Sequence, residues 1–438
     1  MTPAPDADAQ HSAAPAAGGR LALAPFRGLR FAPARVGDPA AVISPPYDMI
    51  DPIQAHRLAR SGVHNIVRLI LPELDEPDPR LRYRRAARTL REWREEKALV
   101  LDEEPTLYVY EQRQPSGLLQ RGLIGALELP ADDAGPVLPH EDVVDAVVAD
   151  RQALMHALGA NPEPILLTYQ GGGPASDLVE RYADRDHNPA AHPVVEAVME
   201  DGTHHRLWAI TDPAEHAEIA ADLAPRRSLI ADGHHRYSAY QRLAGLRRPG
   251  TDHGLALLVD SERHPLAVRG IHRWLPDLPA VPAMEAAGKS FAVKPVDGGY
   301  RAAMDELGAI PPDRIAFAVV AGQQAWLVAD PAPDLLAEAI PGGRPEAWRT
   351  LDATVLHYAL AGAVWGIPDT ADHIRFDHDP RHAVVEAHRH HGLAVLVRPV
   401  AEETVAGLAA AGVRMPRKST SFAPKPATGL VMRLLDET

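Results

Sequence analysis

The sequence predicts an α+β fold with mixed and antiparallel sheets. Three observations point there. Two pairs of strand-like segments each flank a turn cluster, which marks antiparallel hairpins. Strand and helix patterns are mixed along the chain, as in α+β proteins. The 42 prolines, about twice the average share, are spread throughout and punctuate many short elements.

The elements follow in chain order. Residues 1–20 are dominated by Ala, Pro, Gly and Asp, too little apolar surface to offset ordering entropy, and are expected to form a disordered tail. Leu81 to Ala98 reads as a helix, because Tyr83, Ala86, Ala87, Leu90 and Trp93 recur at helical spacing between arginines and glutamates. Thr106–Glu111 and Gly122–Leu129 read as a hairpin around Pro115-Ser116-Gly117. Ser228–Ala231 is a short buried strand running into Asp232-Gly233 and then a helix with Tyr237, Tyr240 and Leu243 on one face. Gly254–Asp260 is a further strand, and Ala316–Val320 with Ala325–Ala329 a second hairpin around Gly322. An apolar helix over Leu351–Trp365, a strand Ala394–Arg398, a helix Glu402–Ala411 and a strand Leu430–Met432 close the chain. Weak boundaries fall near residues 200 and 280. They divide the chain into an α+β region over 21–200, a segment 201–280, and a second α+β region over 281–438.

Composition narrows function. The 438 residues carry 45 Lys plus Arg against 59 Asp plus Glu, a net charge of −14 with 22 His neutral. That balance argues against bulk binding to nucleic acid or anionic membrane. There is no cysteine, which excludes disulfides, thiolate metal sites, iron–sulfur clusters and a cysteine nucleophile. No apolar run is long enough to span a bilayer, and residues 1–20 lack the pattern of a secretory signal, so the expected location is the cytoplasm.

Five motifs could carry chemistry. In Ile230-Ala-Asp-Gly-His-His-Arg-Tyr237 a strand ends in a Gly turn and a helix starts at once. The unpaired N–H groups of such a first turn make an anion site, and Gly233 admits close approach. His234, His235 and Arg236 add donors or cations, and Asp232 suits Mg²⁺ or a hydroxyl. An ordinary capped helix with a solvated face reads equally well. In Met415 to Gly429, Arg417, Lys418 and Lys425 are interleaved with Ser419, Thr420, Ser421 and Thr428 on a proline-restrained loop. Cations plus hydroxyls suit a polyphosphate, although this is no Walker A loop and a basic surface loop would look the same. Leu138-Pro-His-Glu-Asp142 offers His140, Glu141 and Asp142 as base or ligand, or merely a polar loop. Ile43-Ser-Pro-Pro-Tyr-Asp48 is a stiff turn that presents Tyr47 for stacking and Asp48 as acceptor. The histidines 373, 378, 382, 388, 390 and 391, with Asp377 and Asp379, lack any defined ligand spacing and read as a solvated surface before a metal site.

Together these residues resemble the bacterial domain-of-unknown-function 1015 family. Carrying the resemblance are Pro25-Phe-Arg27, Pro45-Pro-Tyr-Asp48, Asn65 with Arg68, Tyr108 to Gln112, Pro139-His-Glu141, Asp150-Arg151, Ala231 to Tyr237, His272-Arg273, and Met415 to Thr420 with Pro424-Lys425 and Thr428-Gly429. The Asp-Gly-His-His-Arg loop is also similar to the phosphate-binding loop of the ParB/sulfiredoxin superfamily, whose members bind ATP, ADP or CTP there, some phosphorylating free L-serine. This resemblance implies a ParB/sulfiredoxin-like nucleotide-binding core within 201–280. Sulfiredoxin chemistry needs a cysteine that this chain lacks, and a ParB-type DNA clamp finds neither a helix-turn-helix nor the right charge.

The function so implied is nucleotide-dependent transfer of a phosphoryl group to a small hydroxyl acceptor, free L-serine foremost, with ATP or ADP and Mg²⁺. Gly233, His234, His235 and Arg236 would hold phosphates, and Lys418, Ser419, Thr420 and Lys425 would close from the other side. Asp232 would bind the metal or orient the nucleophile. Glu141 is the first choice of general base and Asp48 the second, while Tyr47 and His140 would contact substrate. A non-catalytic nucleotide-binding regulator and a phosphohydrolase are the alternatives.

Overall fold

The computed structural model describes residues 19–78, 80–130, 135–184, 192–370 and 372–437; the tail expected over residues 1–20 lies outside these except for its last two residues. Among the described residues the largest sheet has nine strands. Its spatial order is Val137–Leu138, Ser228–Asp232, Ile165–Tyr169, His253–Asp260, Leu119–Glu128, Leu107–Arg113, His204–Ile210, Val195–Val198, with Leu23–Ala24 added to Leu119–Glu128. Ile165–Tyr169 runs parallel to His253–Asp260 and antiparallel to Ser228–Asp232, so the sheet is mixed. These central strands are apolar on both faces and buried on both, as expected where helices cover each side. A second sheet is antiparallel throughout, in the order Ala292–Val296, Gln324–Ala329, Ala316–Ala321, Leu393–Leu396, His272–Leu275, Arg375–Asp377. The architecture is α+β.

Both expected hairpins form. Tyr108 pairs with Ile124 and Tyr110 with Gly122, and Gly117 turns the chain at φ 90°. Ala321 pairs with Gln324 across Gly322 at φ 60°. The helix Arg82–Glu95 buries Ala86, Ala87, Leu90 and Trp93, the stripe its periodicity requires. It packs on Asp145–Leu158, which in turn packs on His234–Ala244.

Two elements differ from expectation. The apolar segment over Leu351–Trp365 is not one α-helix. Asp352–Val355 is α-helical, and Leu356–Val364 widens into a π-helix that carries the buried His357. Widened turns of this kind gather at functional sites, and periodicity does not reveal them. The last strand is Met432–Leu434 rather than Leu430–Met432. Leu430 and Val431 are buried, but pairing starts only where Gly28–Phe31 runs alongside, at Met432 opposite Leu29. Gly28 is required at that crossing, because a Cβ there would lie 2.0 Å from the Tyr108 hydroxyl.

This last pairing positions the site. A four-stranded sheet of Leu99–Leu101, Gly28–Phe31, Met432–Leu434 and Ala160–Asn161 joins the two ends of the chain. Ser44 and Thr428 exchange both backbone hydrogen bonds at 3.0 and 2.8 Å, and Met415 N donates to the His140 carbonyl at 2.8 Å. Three motifs far apart in sequence are thereby tied together in space.

Candidate functional site

The site forms where Ser228–Asp232 ends. Gly233 follows in the left-handed region at φ 94°, and the helix His234–Ala244 begins. No other residue fits there, since a Cβ would stand 2.8 Å from Ile165 Cγ2. Around this turn is a tight cavity of about 50 Å³. Its lining includes Tyr47, Asp48, His140, Glu141, Asp232, Gly233, His234, His235, Arg236, Lys418, Thr420 and Lys425. Ser419 is absent from it: the Ser419 hydroxyl donates to the Pro416 carbonyl at 2.5 Å.

Lys425 lies at the centre. Its Nζ is 2.7 Å from Asp48 Oδ2 and 2.6 Å from Asp232 Oδ1, and its side chain is 8% exposed. Burial alone would drive proton loss, but the two carboxylates outweigh it and hold the ammonium charged. Burial likewise opposes ionisation of Asp48, yet Lys425 and Arg236 keep that carboxyl well below the usual carboxylate range. Lys418 has φ 59°. Its backbone N–H donates to the Glu141 carboxylate, and its ammonium has no ion-pair partner among the described residues. Glu141 behaves unlike Asp48. Burial pushes its carboxyl up to about 6, only partly offset by the N–H and ammonium of Lys418.

Three expected phosphate ligands are arranged differently from the sequence reading. Arg236 turns its guanidinium inward, giving Nη1 to the Pro164 carbonyl and Nη2 to Asp232 Oδ2, both at 2.6 Å. Those acceptors come from elsewhere in the fold or from the preceding strand, so the fork is engaged before any ligand arrives. His234 and His235 are not cations. Burial lowers both below the ordinary imidazole value, and nearby cations add to this. His234 Nε2 accepts from His140 N at 3.3 Å and His235 Nε2 from Val144 N at 3.0 Å. Each ring is therefore the neutral Nδ1–H tautomer. His140 is buried too, lowered to about 4 by burial, and its Nε2 meets Thr420 Oγ1 at 2.9 Å.

Four residues were not singled out for the site. Glu163 is buried behind Tyr47, accepting from Tyr47 N at 3.0 Å and Thr428 Oγ1 at 3.4 Å. Arg151 stacks on the Tyr47 ring at 4.4 Å. Arg273 is fully buried and donates to the Lys418 carbonyl at 3.0 Å and to His357 Nε2 at 3.2 Å. Burial lowers Arg273 to about 10 despite the opposing pull of Glu141 and Asp369. His378 lines the cavity between Lys418 and Lys425. Arg151 and Arg273 fall in motifs that carried the family resemblance, and His378 in the histidine-rich segment. Glu163 had no sequence signal. Three other histidines of that segment are engaged elsewhere: His382 with Asp377, His373 with Thr370, and His390 stacked on Trp274. Among the described residues no cluster of three or more His, Asp or Glu is placed to hold a metal ion. Nor is any described helix long and apolar enough to cross a membrane.

The cavity lining sets three carboxylates against three basic side chains, with its imidazoles neutral, so its own charges balance. It can take an anion by releasing Lys425 from its carboxylates, and it keeps one carboxyl poised to lose a proton near neutrality.

Similar structures include a free serine kinase mutant in complex with ADP, 16% identical, covering 68% of this chain and 86% of that chain at a TM-score of 0.35. A conserved hypothetical protein from Pyrococcus furiosus is 15% identical, covering 69% and 90% at 0.34. SbnI with C-terminal truncation from Staphylococcus aureus is 10% identical, covering 68% and 82% at 0.32. No curated protein matches the sequence. The model of one family, described as protein of unknown function (DUF1015), matches residues 23–354, about three quarters of the sequence, and the chain belongs to that family.

Proposed function

We propose that the protein transfers a phosphoryl group from a nucleotide, ATP or ADP, to the hydroxyl of a small acceptor, free L-serine foremost. The observation that carries this reading is Lys425, buried between Asp48 and Asp232 at the start of a helix, with Glu141 in the same cavity. Phosphoryl transfer asks a protein chiefly for positioning and charge neutralisation. The N–H groups at Gly233 and the ammonium groups of Lys418 and Lys425 supply both, with Thr420 as a hydroxyl donor.

Glu141 is the proposed base. It takes the acceptor's proton as the new O–P bond forms and the bond to the leaving nucleotide phosphate breaks. ATP would leave as ADP, and ADP as AMP. A carboxyl near 6 suits this role better than Asp48, which Lys425 holds strongly acidic. Tyr47 and His140 would contact the acceptor. Asp48 and Asp232 both reach Lys425 Nζ. Two carboxylate oxygens around one point fit Mg²⁺ if phosphate oxygens complete its shell, and the ion would then neutralise charge on those phosphates.

The test is purified protein with Mg²⁺, ATP or ADP, and L-serine against a panel of alcohols and amino acids, read by mass spectrometry. Phosphoserine that disappears in Asp232→Asn supports the reading. Nucleotide binding without product would favour a regulatory protein. Phosphate release without acceptor would favour a hydrolase, and neither binding nor product would remove the proposal.

A further inference from the structure

Beside the tight cavity lies a cleft of about 520 Å³, a volume typical of small-molecule sites. The two share Lys425, Ser421 and His378 as a common wall. Glu141 lines only the tight cavity. If Glu141 is the base, the acceptor hydroxyl must sit on that side, where there is room for a small molecule only. The remainder of the nucleotide must then lie across the common wall.

The cleft has walls and a floor suited to this. Met49, Leu58, Met199 and Phe422 give it apolar sides. In its floor are Gln112 and His205, 5% and 4% exposed. Both are oriented by one hydroxyl. Tyr110 Oη donates to Gln112 Oε1 at 2.9 Å, accepts from Ala427 N at 3.2 Å, and lies 2.9 Å from His205 Nδ1. With its single proton given to Gln112, Tyr110 accepts from His205 Nδ1–H. Two groups remain without a protein partner among the described residues: the Gln112 amide N–H, a donor, and His205 Nε2, an acceptor.

We propose that this cleft holds the nucleobase, and that Gln112 gives its N–H to an acceptor on the base edge while His205 Nε2 accepts from the donor beside it. Adenine and cytosine present that pair as a ring nitrogen and an exocyclic amine, guanine and uracil as a carbonyl and a ring N–H, so each base can be held. The inference rests on the nucleotide reading above. Two buried polar groups left unpaired favour a ligand that carries such an edge over one that lacks it.

Calorimetry on the full chain with ADP, CDP, GDP, UDP and inorganic pyrophosphate tests it. At least one nucleoside diphosphate is expected to bind at least about 10-fold more tightly than pyrophosphate, and the tightest identifies the preferred base. Gln112→Glu, which replaces the donor by an acceptor, should weaken that nucleotide at least about 10-fold while pyrophosphate stays within about twofold. Met199→Trp, which fills the cleft from its rim, should do the same and guards against a misfolded floor variant. Nucleotides that bind no more tightly than pyrophosphate, or unchanged nucleotide affinity in Met199→Trp, overturn the proposal. Affinity gained from the base without phosphorylated product would remove only the kinase reading. Product without that gain would remove only this one.

Discussion

The tight cavity and the adjoining cleft differ in how far their own groups already pair with one another. The cavity is occupied by its own charges: Asp48 and Asp232 hold the Lys425 ammonium, and Arg236 is spent on Pro164 and Asp232. The cleft contains few charges in its floor and two polar groups with nothing to release. A phosphate entering the cavity must compete with carboxylates already paired to Lys425, whereas a base entering the cleft meets two polar groups without a protein partner among the described residues. Phosphate groups alone should therefore bind weakly here, and the nucleoside should contribute most of the affinity. The cavity is built for chemistry on a charge, and the cleft for recognition.

The contrast breaks most completely at Lys425. In Lys425→Met, two carboxylates face each other without a cation, and loss of one partner of a buried pair costs about 3–5 kcal/mol. Turnover should fall at least about 10³-fold, and chemical denaturation should show the lost stability. Asp48→Asn combined with Lys425→Met should restore much of the stability but none of the turnover. If the single variant keeps its activity, Lys425 serves structure only.

Glu141 comes next. Glu141→Gln should lower turnover by about 10²–10⁴-fold while nucleotide still binds, a span typical of a lost general base. The wild-type rate should rise with pH through an apparent pKa near 6, where Glu141 loses its proton, and this limb should vanish in the variant. Stability follows the opposite sense. A carboxyl raised from 4.5 to about 6 on folding stabilises the protein fully below about 4.5, and that contribution is lost as pH rises through about 6. Glu141→Gln should thus be more stable than wild type at pH 8, by about 1 kcal/mol given that the residue is only partly buried, with no such gain at pH 4. If instead Asp48→Asn abolishes turnover and Glu141→Gln does not, the base is Asp48.

What the sequence made legible, and what it hid, divides along the same line. The strand end, Gly233 and the helix start are local, so Asp232-Gly233-His-His-Arg announced a turn with exposed N–H groups. The cation–hydroxyl run from Arg417 to Lys425 was equally readable. The partners were not. Arg236 is turned inward by a carbonyl at Pro164, 72 residues away, and His235 Nε2 accepts from Val144 N, 91 residues away. The motif offered three cations or donors there, and burial beneath segments distant in sequence makes two of them neutral. Glu163 sits in a Pro-Glu-Pro stretch that any surface loop could contain; only folding shows its burial against Tyr47 and Thr428. The cleft was hidden: Gln112 belongs to a segment that carried the family resemblance without a role attached, and His205 to a strand whose pattern signals burial and nothing more. The fold class needed only periodicity and turns, which are properties of single segments. The widening at Leu356–Val364 escaped because an apolar run carries no mark of helical pitch.

Arg273 sharpens the comparison further. It holds the Lys418 carbonyl while the Lys418 N–H holds Glu141, so it acts on the base through the backbone of one residue. Arg273→Gln should cost about 10-fold in kcat with little change in KM, a split expected of lost positioning rather than lost binding. The acid limb should also move to higher pH, because a buried cation that attracts Glu141 is gone. A uniform drop in activity with the limb unmoved would assign Arg273 to structure alone.

The smallest effect lies at the cleft's rim. Arg57 and Glu200 both line the cleft and pair across it at 3.1 Å, with side chains 63% and 76% exposed. An ion pair so open to water is screened by salt and holds two long side chains at an entropic cost, so its net worth is about 0–1 kcal/mol. Arg57→Ala should leave the midpoint of thermal unfolding nearly unchanged. If the pair hinders entry to the cleft, its loss should raise the association and dissociation rates of nucleotide together and leave Kd within about threefold, since the bound base contacts Gln112 and His205 rather than the rim. Stopped-flow binding at low and high salt would separate the cases: wild type should approach the variant as salt rises, because screening removes the same contact the mutation removes. Rates that stay apart at high salt would mean that Arg57 touches the ligand itself, and the rim would then belong to the recognition surface.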